Sequence, residues 1–327
     1  MYAVTGASGF VGLNLVEALL SRGDEVLCLS LDGLPAEAAR TFEGLSGRAI
    51  DLKADVRDRP ALEAAFRDHG VRRLFHGAVV TAAEARERRD AAGILEVNVV
   101  GTARVLEAAA AAGVERAAVA SSSAAYGPLF GGTEPVREDA VPRPQALYGI
   151  SKLAIEAVAA RLAELHGLRI PAARIVAVFG PWERDTGLRD TLSPVWQIAR
   201  LGLAGQPVRL PKGRRDWVWS RTVADALIAM LDGPTLQHGV YNIGPGQTWA
   251  PSAFCRALEP LLPGLDWREV DDPAEANVLL HQDPREERQP ADVARQTADL
   301  LPGGHPPIEA CLEEMARWVM QHPDWFR

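Results

Sequence analysis

Apolar residues follow two alternating rhythms through the first half of the chain: short continuous runs of strand length, then longer stretches with helical spacing. Tyr2–Thr5 is a β-branched and aromatic run that reads as a buried strand. Residues 10–22 keep helical spacing and stop at Gly23, a residue suited to the C′ position. Glu25–Ser30 predicts a second strand and residues 49–52 a third. Asp58 then stands where it can cap a helix with Pro60 near its start. Arg73–His76 reads as the next buried strand, followed by a long helix over 91–113 that contains Asn98. A strand over 116–121, a helix over 148–165 and a strand over 173–179 continue the alternation. Strands and helices taking turns predict an α/β fold, a Rossmann-type doubly wound parallel sheet with right-handed crossovers.

Beyond residue 180 the rhythm breaks. Prolines and glycines become denser, and Trp182, Trp196, Trp217, Trp219, Trp249 and Trp267 accumulate. Residues 181–327 are therefore expected to form mainly a smaller substrate-binding region. Residues 1–180 are expected to form the Rossmann-type part, with a return within 215–245 that rejoins the sheet near 240–244, so the two parts interleave.

Bulk properties narrow the function classes. An apolar fraction of 47% supports a full core, and a net charge of −8 argues against a nucleic-acid surface. No run of 18 apolar residues is present, so no membrane span is expected. A strand beginning at residue 2 leaves no room for a signal peptide. Cys28, Cys255 and Cys311 lie far apart with no C-x-x-C pair, so neither a metal site nor a disulfide framework is indicated. A cytoplasmic setting fits.

Chemistry enters at the first turn. Gly6, Gly9 and Gly12 separate the first strand from the first helix in the spacing G-x-x-G-x-x-G. Gly6 permits the turn, Gly9 lets a phosphate approach bare main chain, and Gly12 removes the side chain that would hold the helix off the sheet. The turn includes Ser8, and the helix opens with Phe10 and Val11, where amides and the helix dipole suit a pyrophosphate. Further on, Tyr148-Gly-Ile-Ser-Lys152 puts a phenol and an ammonium on one helix face. A nearby lysine charge favours the phenolate and brings a tyrosine toward general acid/base work. Ser121, Ser122 and Ser123 end a buried strand, where an open parallel sheet presents ligand-contacting groups.

These pieces together resemble the extended short-chain dehydrogenase/reductases, the NAD-dependent epimerase/dehydratase family. The matching segments are Thr5-Gly-Ala-Ser-Gly-Phe-Val-Gly12, Asp55-Val56, His76-Gly77-Ala78, Asn98-Val-Val-Gly-Thr102, residues 121–127, Tyr148-Gly-Ile-Ser-Lys152, Phe179-Gly-Pro181, Arg215-Asp-Trp-Val218 and Tyr241-Asn-Ile-Gly244. The resemblance implies that Tyr148 is the acid/base, that Lys152 orients the nicotinamide ribose, and that Ser122 binds the reacting oxygen, with Ser121 and Ser123 as alternates. It also implies that Asp55 and Val56 flank the adenine and that Gly77, Ala78 and Asn98 lie along the cofactor. Asn98 serves there at a helix irregularity, either in a proton relay or as a cap or kink. His76 reads as a satisfied structural histidine.

Departures from the family pattern refine the expectation. Dehydratases of the group carry an Asp-Glu pair where this chain has Ser123 and Ala124, so dehydration is disfavoured. Ala177 replaces an asparagine that usually contacts a sugar nucleotide. Arg215 matches an arginine that meets the substrate's pyrophosphate, while Arg184, Arg189 and Trp182 follow Pro181 where they can reach the same cleft. A small anionic substrate is expected. NAD-specific relatives end the second strand with an acid; Ser30 stands there, no arginine follows at once, and Asp32 lies about 20 residues beyond Gly12. The expected cofactor is NAD, with NADP not excluded. The expected activity is hydride transfer at a secondary alcohol carbon of a sugar or sugar-derived substrate, of epimerase type. The alternatives are a dehydrogenase for a small acidic hydroxy compound and a non-catalytic dinucleotide sensor. A homodimer built on the alanine-rich helices 91–113 and 148–165 is also expected.

Overall fold

In the first strand Ala3 and Val4 are both fully buried, one toward each face of a sheet. The division runs on through its neighbours. Cys28, Phe75 and Ala118 join Val4 in one apolar layer, and Leu27, Leu74 and Ala117 join Ala3 in the other. A sheet covered on both sides reads as unbroken apolar runs, which is why these strands stand out in the sequence.

The computed structural model describes residues 1–81, 84–128, 134–185, 192–233, 236–280 and 289–326. The first half of the chain forms β1 (Tyr2–Thr5), α1 (Phe10–Ser21), β2 (Glu25–Ser30), α2 (Ala36–Glu43), β3 (Arg48–Lys53), α3 (Arg59–Asp68), β4 (Arg73–His76), α4 (Glu84–Leu95), α5 (Gly101–Ala111), β5 (Arg116–Ser122), α6 (Leu147–His166) and β6 (Ala172–Ile175). It continues with β7 (Val178–Phe179), α7 (Pro194–Leu203), β8 (Val208–Pro211), β9 (Val218–Trp219), α8 (Ser220–Asp232), β10 (Val240–Ile243), α9 (Ser252–Leu258), β11 (Trp267–Val270), α10 (Ala294–Asp299) and α11 (Ile308–Gln321).

Seven strands make one parallel sheet in the order β10-β6-β5-β4-β1-β2-β3. Side chains of α1 and α8 fill one face, and those of α3, α5 and α6 fill the other. The order reverses between β1 and β4, whose last residues Thr5 and His76 lie side by side. Chains leave this point toward opposite faces and open a crevice at the carboxyl ends of the strands. The return expected near 240–244 is β10, which pairs with β6 from Val240↔Ala172 to Ile243↔Ile175.

Two predicted elements differ. The helix over 91–113 is interrupted: α4 and α5 flank a π turn, Glu96–Val100, and Asp90 within α4 is non-helical. The strand over 173–179 is two strands, because β6 ends where its neighbour β10 ends, and β7 pairs instead with β9. The sequence reading also passes over α2, which buries only Ala38 and Phe42 and so leaves a thin apolar signature. Among the described residues, no helix is long and apolar enough to cross a membrane, and no cluster of His, Cys, Asp or Glu could hold a metal ion.

Candidate active site

The glycine turn brings three backbones together. Gly6 has φ +70°, and a Cβ there would lie 2.7 Å from the Ala78 nitrogen at the end of β4. A Cβ on Gly12 would lie 2.2 Å from the Gly6 carbonyl oxygen and 2.9 Å from Ala7 Cα. Both positions demand glycine, and the result is a shallow main-chain cradle bounded by Gly77 and Ala78. Gly9 occupies the N-cap of α1 and offers no side chain to the first-turn amides. An anion is the group that completes such an end. The cradle therefore fits a dinucleotide's pyrophosphate.

Around the cradle, Val56 is buried and packs close to Gly101. Asp55 is held by Arg57, whose Nη2 donates to Oδ2 at 2.6 Å and whose Nε donates to Oδ1 at 3.0 Å. The arginine's hydrogen bonds keep the Asp55 carboxyl below the usual range. Ser30 accepts the Gly33 amide at 3.1 Å on its hydroxyl. Asp32 is exposed in that turn.

The second half of the site stands at the start of α6. A Cβ on Gly149 would come within 2.4 Å of the Ala124 carbonyl oxygen, so α6 lies directly on the 3₁₀ turn Ser123–Tyr126 that follows β5. This contact sets the neighbouring Tyr148 beside the end of the serine strand. Ser122 caps the turn, accepting the Ala124 amide at 3.2 Å, and remains half-buried. Ser121, on the opposite strand face, donates to the buried carboxylate of Glu156. Ser123 is buried in the turn.

Lys152 is 2% exposed, with Nζ donating to the Ala120 carbonyl at 2.6 Å and standing 5.6 Å from the centre of the Tyr148 ring. Burial pulls its pKa down to about 7, with Glu156 one turn along working the other way. The cation beside Tyr148 is thus one that exchanges its proton near neutrality.

Asn98 turns inward from the π turn and is fully buried. Its Oδ1 accepts from the Val80 amide at 2.8 Å, and its Nδ2 donates to the Val80 carbonyl at 3.0 Å and to Ser151 Oγ at 3.1 Å. Ser151 Oγ in turn donates to the Tyr148 carbonyl at 2.7 Å. Asn98 is therefore a brace between the loop after β4 and α6, and the structure does not open it toward a cofactor. His76 pairs with Thr5 Oγ1 at 2.7 Å through Nδ1 and with Thr102 Oγ1 at 2.9 Å through Nε2. Because Thr102 donates onward to the Asn98 carbonyl, Nε2 carries the proton and Nδ1 accepts from Thr5. Burial, helped by the Lys152 charge, lowers its pKa to about 3, so the ring stays neutral.

The model of the NAD dependent epimerase/dehydratase family matches residues 2–244. The chain belongs to this family. It is similar to a UDP-glucose 4-epimerase of Erwinia amylovora, 28% identical over 283 residues that cover 78% of this chain and 81% of the relative. Among solved structures it resembles MoeE5 in complex with UDP-glucuronic acid and NAD, at TM-score 0.75 and 26% identity, covering 98% of this chain and 99% of that one. It also resembles the UDP-glucose 4-epimerase of Thermus thermophilus in complex with NAD, at TM-score 0.75 and 25% identity, covering 98% of each chain. The chain is accordingly an NAD-dependent enzyme of the extended short-chain dehydrogenase/reductase type.

Not every residue expected at this family's site is found there. Trp182 does not line the cleft. It is fully buried with φ 68°, its ring packs on Phe42, Trp318 and Trp325, and its Nε1 donates to Glu17 of α1 at 2.9 Å. Arg215 is half-buried, its backbone bridged to Trp249 by hydrogen bonds of 3.1 and 3.0 Å. Arg189 lies outside the described residues. Arg184 reaches the glycine turn rather than the substrate side, with Nη2 donating to the Ser8 carbonyl at 3.3 Å.

Sequence reasoning missed the buried ion pair beneath the lysine. Arg174 on β6 meets Glu156 through Nε at 2.8 Å and Nη2 at 2.6 Å, both side chains nearly inaccessible. Its guanidinium also stacks 4.6 Å over the Tyr126 ring, whose hydroxyl donates to Asn242 of β10 at 2.7 Å. A signal was available: an arginine inside a strand of a covered sheet requires a partner, and Glu156 follows Lys152 by one helical turn.

Proposed function

We propose that this enzyme is an epimerase for a nucleotide-linked sugar carrying anionic groups, acting by NAD-dependent hydride transfer at a secondary alcohol carbon. The observation that carries the reading is the buried Lys152 ammonium, 5.6 Å from the centre of the Tyr148 ring and beside the end of the serine strand. The bound nicotinamide supplies the hydride acceptor and donor. Tyr148 removes the alcohol proton, assisted by the Lys152 charge, and returns it when the keto form of the substrate is reduced from its other face. Ser122 holds the reacting oxygen, and Arg215 pairs with a phosphate or carboxylate of the substrate. Ser123 and Ala124 offer no carboxylate for removing water. The relatives' UDP-glucose and UDP-glucuronic acid support a nucleotide-linked, negatively charged substrate.

A specific feature favours a second reading, a net dehydrogenase for a smaller acidic hydroxy compound. Ala177 presents a methyl group, and its carbonyl already accepts the Val218 amide at 2.8 Å, so no side-chain amide there greets a nucleotide. One experiment separates the two. Purified enzyme is incubated with UDP-sugars while absorbance of reduced nicotinamide and product configuration are followed together. Inversion without accumulation supports the epimerase; stoichiometric accumulation refutes it.

The functional unit is proposed to be a cytoplasmic homodimer. Val100, beside α5, and Ile150 and Leu165 on α6 expose 37%, 43% and 58% of their surfaces, which favours a helical interface. Three buried free thiols fit a reducing compartment. Light scattering that gives a monomer at micromolar concentration would exclude the dimer.

A further inference from the structure

We infer that Arg184 is a specificity residue for the dinucleotide, its guanidinium receiving the 2′-phosphate of NADP, so that the site accepts both NADP and NAD. The inference rests on the cradle at Gly6–Gly12 being the dinucleotide site. In such a cradle the end of the second strand and the residues just after it face the adenosine ribose, and an acid there selects a 2′-hydroxyl. This chain offers Ser30, engaged by the Gly33 amide, and the exposed Asp32. Along the sequence no cation follows them. In space two stand near them: Lys53, paired in register with Ser30, and Arg184, from a segment about 150 residues further on.

That segment is fixed before it reaches the site. Trp182 is locked against α1 and α11, Asn14 Nδ2 donates to the Pro181 carbonyl at 2.8 Å, and Trp325 Nε1 donates to the Glu183 carbonyl at 2.7 Å. From this base Arg184 lays Nη2 on Ser8, while its Nε is buried without a hydrogen-bond partner. It lines a cleft of about 320 Å³ with Glu37 of α2, Asp185, Arg200, Asp324 and Trp325, while its bond to Ser8 sets the guanidinium beside the glycine turn. Burial disfavours its charge and Asp32 supports it. Asp32 and Arg184 thus bring opposite charges to the same side of the cradle. A guanidinium with spare donors suits a ribose phosphate better than any hydroxyl nearby.

The test is equilibrium binding, read by tryptophan fluorescence or calorimetry, of NAD and NADP separately to wild type, Arg184→Ala, Arg184→Gln and Asp32→Ala. Expected is a fall of about tenfold or more in the NADP-to-NAD affinity ratio for both Arg184 variants, and a rise for Asp32→Ala. Wild-type NADP affinity should also fall more steeply than NAD affinity as salt is raised, a readout that needs no variant. An unchanged ratio in the Arg184 variants, or equal salt dependence for the two dinucleotides, overturns the assignment. Failure of the proposed function would instead appear as missing turnover of sugar substrates, with the binding ratio still responding to Arg184.

Discussion

Lys152 should destabilise the protein that depends on it. The side chain is 2% exposed and its pKa falls from the usual 10.5 to about 7 because burial disfavours the ammonium. A drop of that size corresponds to about 5 kcal/mol against the charged form. Between pH 7 and pH 10.5 the unfolded chain binds the proton that the folded chain has released, so this contribution makes wild type more stable as pH rises. Below pH 7 both states are protonated and the full penalty stands.

Lys152→Met keeps the volume and removes the charge. Against the gain stands the lost bond from Nζ to the Ala120 carbonyl, leaving that part-buried oxygen without its donor at about 1–3 kcal/mol. The variant should therefore be more stable than wild type at pH 6 by about 2–4 kcal/mol, and the difference should shrink by about 2 kcal/mol by pH 8.5. Urea unfolding of dinucleotide-free protein at the two pH values measures it. Cys28, Cys255 and Cys311, each pushed up to about 12 by burial, act alike in both proteins and cancel in the difference. A variant less stable than wild type at pH 6, or a difference that ignores pH, would refute the reasoning. The same variant should lose turnover.

Other expectations follow from named contacts. Tyr148→Phe keeps the ring but passes no proton, so turnover should fall by about 10²–10⁴ while dinucleotide titration stays within a few-fold. Arg215→Leu should raise KM for an anionic substrate by more than tenfold, since an unpaired buried charge costs about 2–5 kcal/mol, with kcat much less affected. Glu156→Gln leaves Arg174 without its counter-charge, and denaturant unfolding should record a loss of about 3–5 kcal/mol.

Much of the fold was legible because its signals are local. Buried strands of a covered sheet advertise themselves as apolar runs, and Gly6, Gly12 and Gly149 stand where a Cβ would strike backbone. The Tyr148–Lys152 pair is set by one turn of helix. Asp58 is equally local: its side chain caps α3 on the Ala61 amide at 3.1 Å, as the sequence predicts. What escaped depends on partners far along the chain. The family resemblance sets Asn98 at a helix irregularity, and the π turn Glu96–Val100 is that irregularity, but its partners Val80 and Ser151 are not encoded by any periodicity near residue 98. β6 and β7 part where the available edge changes from β10 to β9.

The charges show the same division, with a consequence for mechanism. Lys152 is recognisable by its distance from Tyr148, yet its working pKa is decided by burial against β5 and by Glu156, which is itself held by Arg174 and Ser121. Replacing Arg174 would free Glu156 to bias Lys152 more strongly toward its charged form. Burial keeps the lysine near neutrality against Glu156, and the Arg174–Glu156 pair ties α6 to β6 beneath it. Stability and the proton affinity of Lys152 therefore meet at Glu156, which faces the lysine on one side and Arg174 on the other.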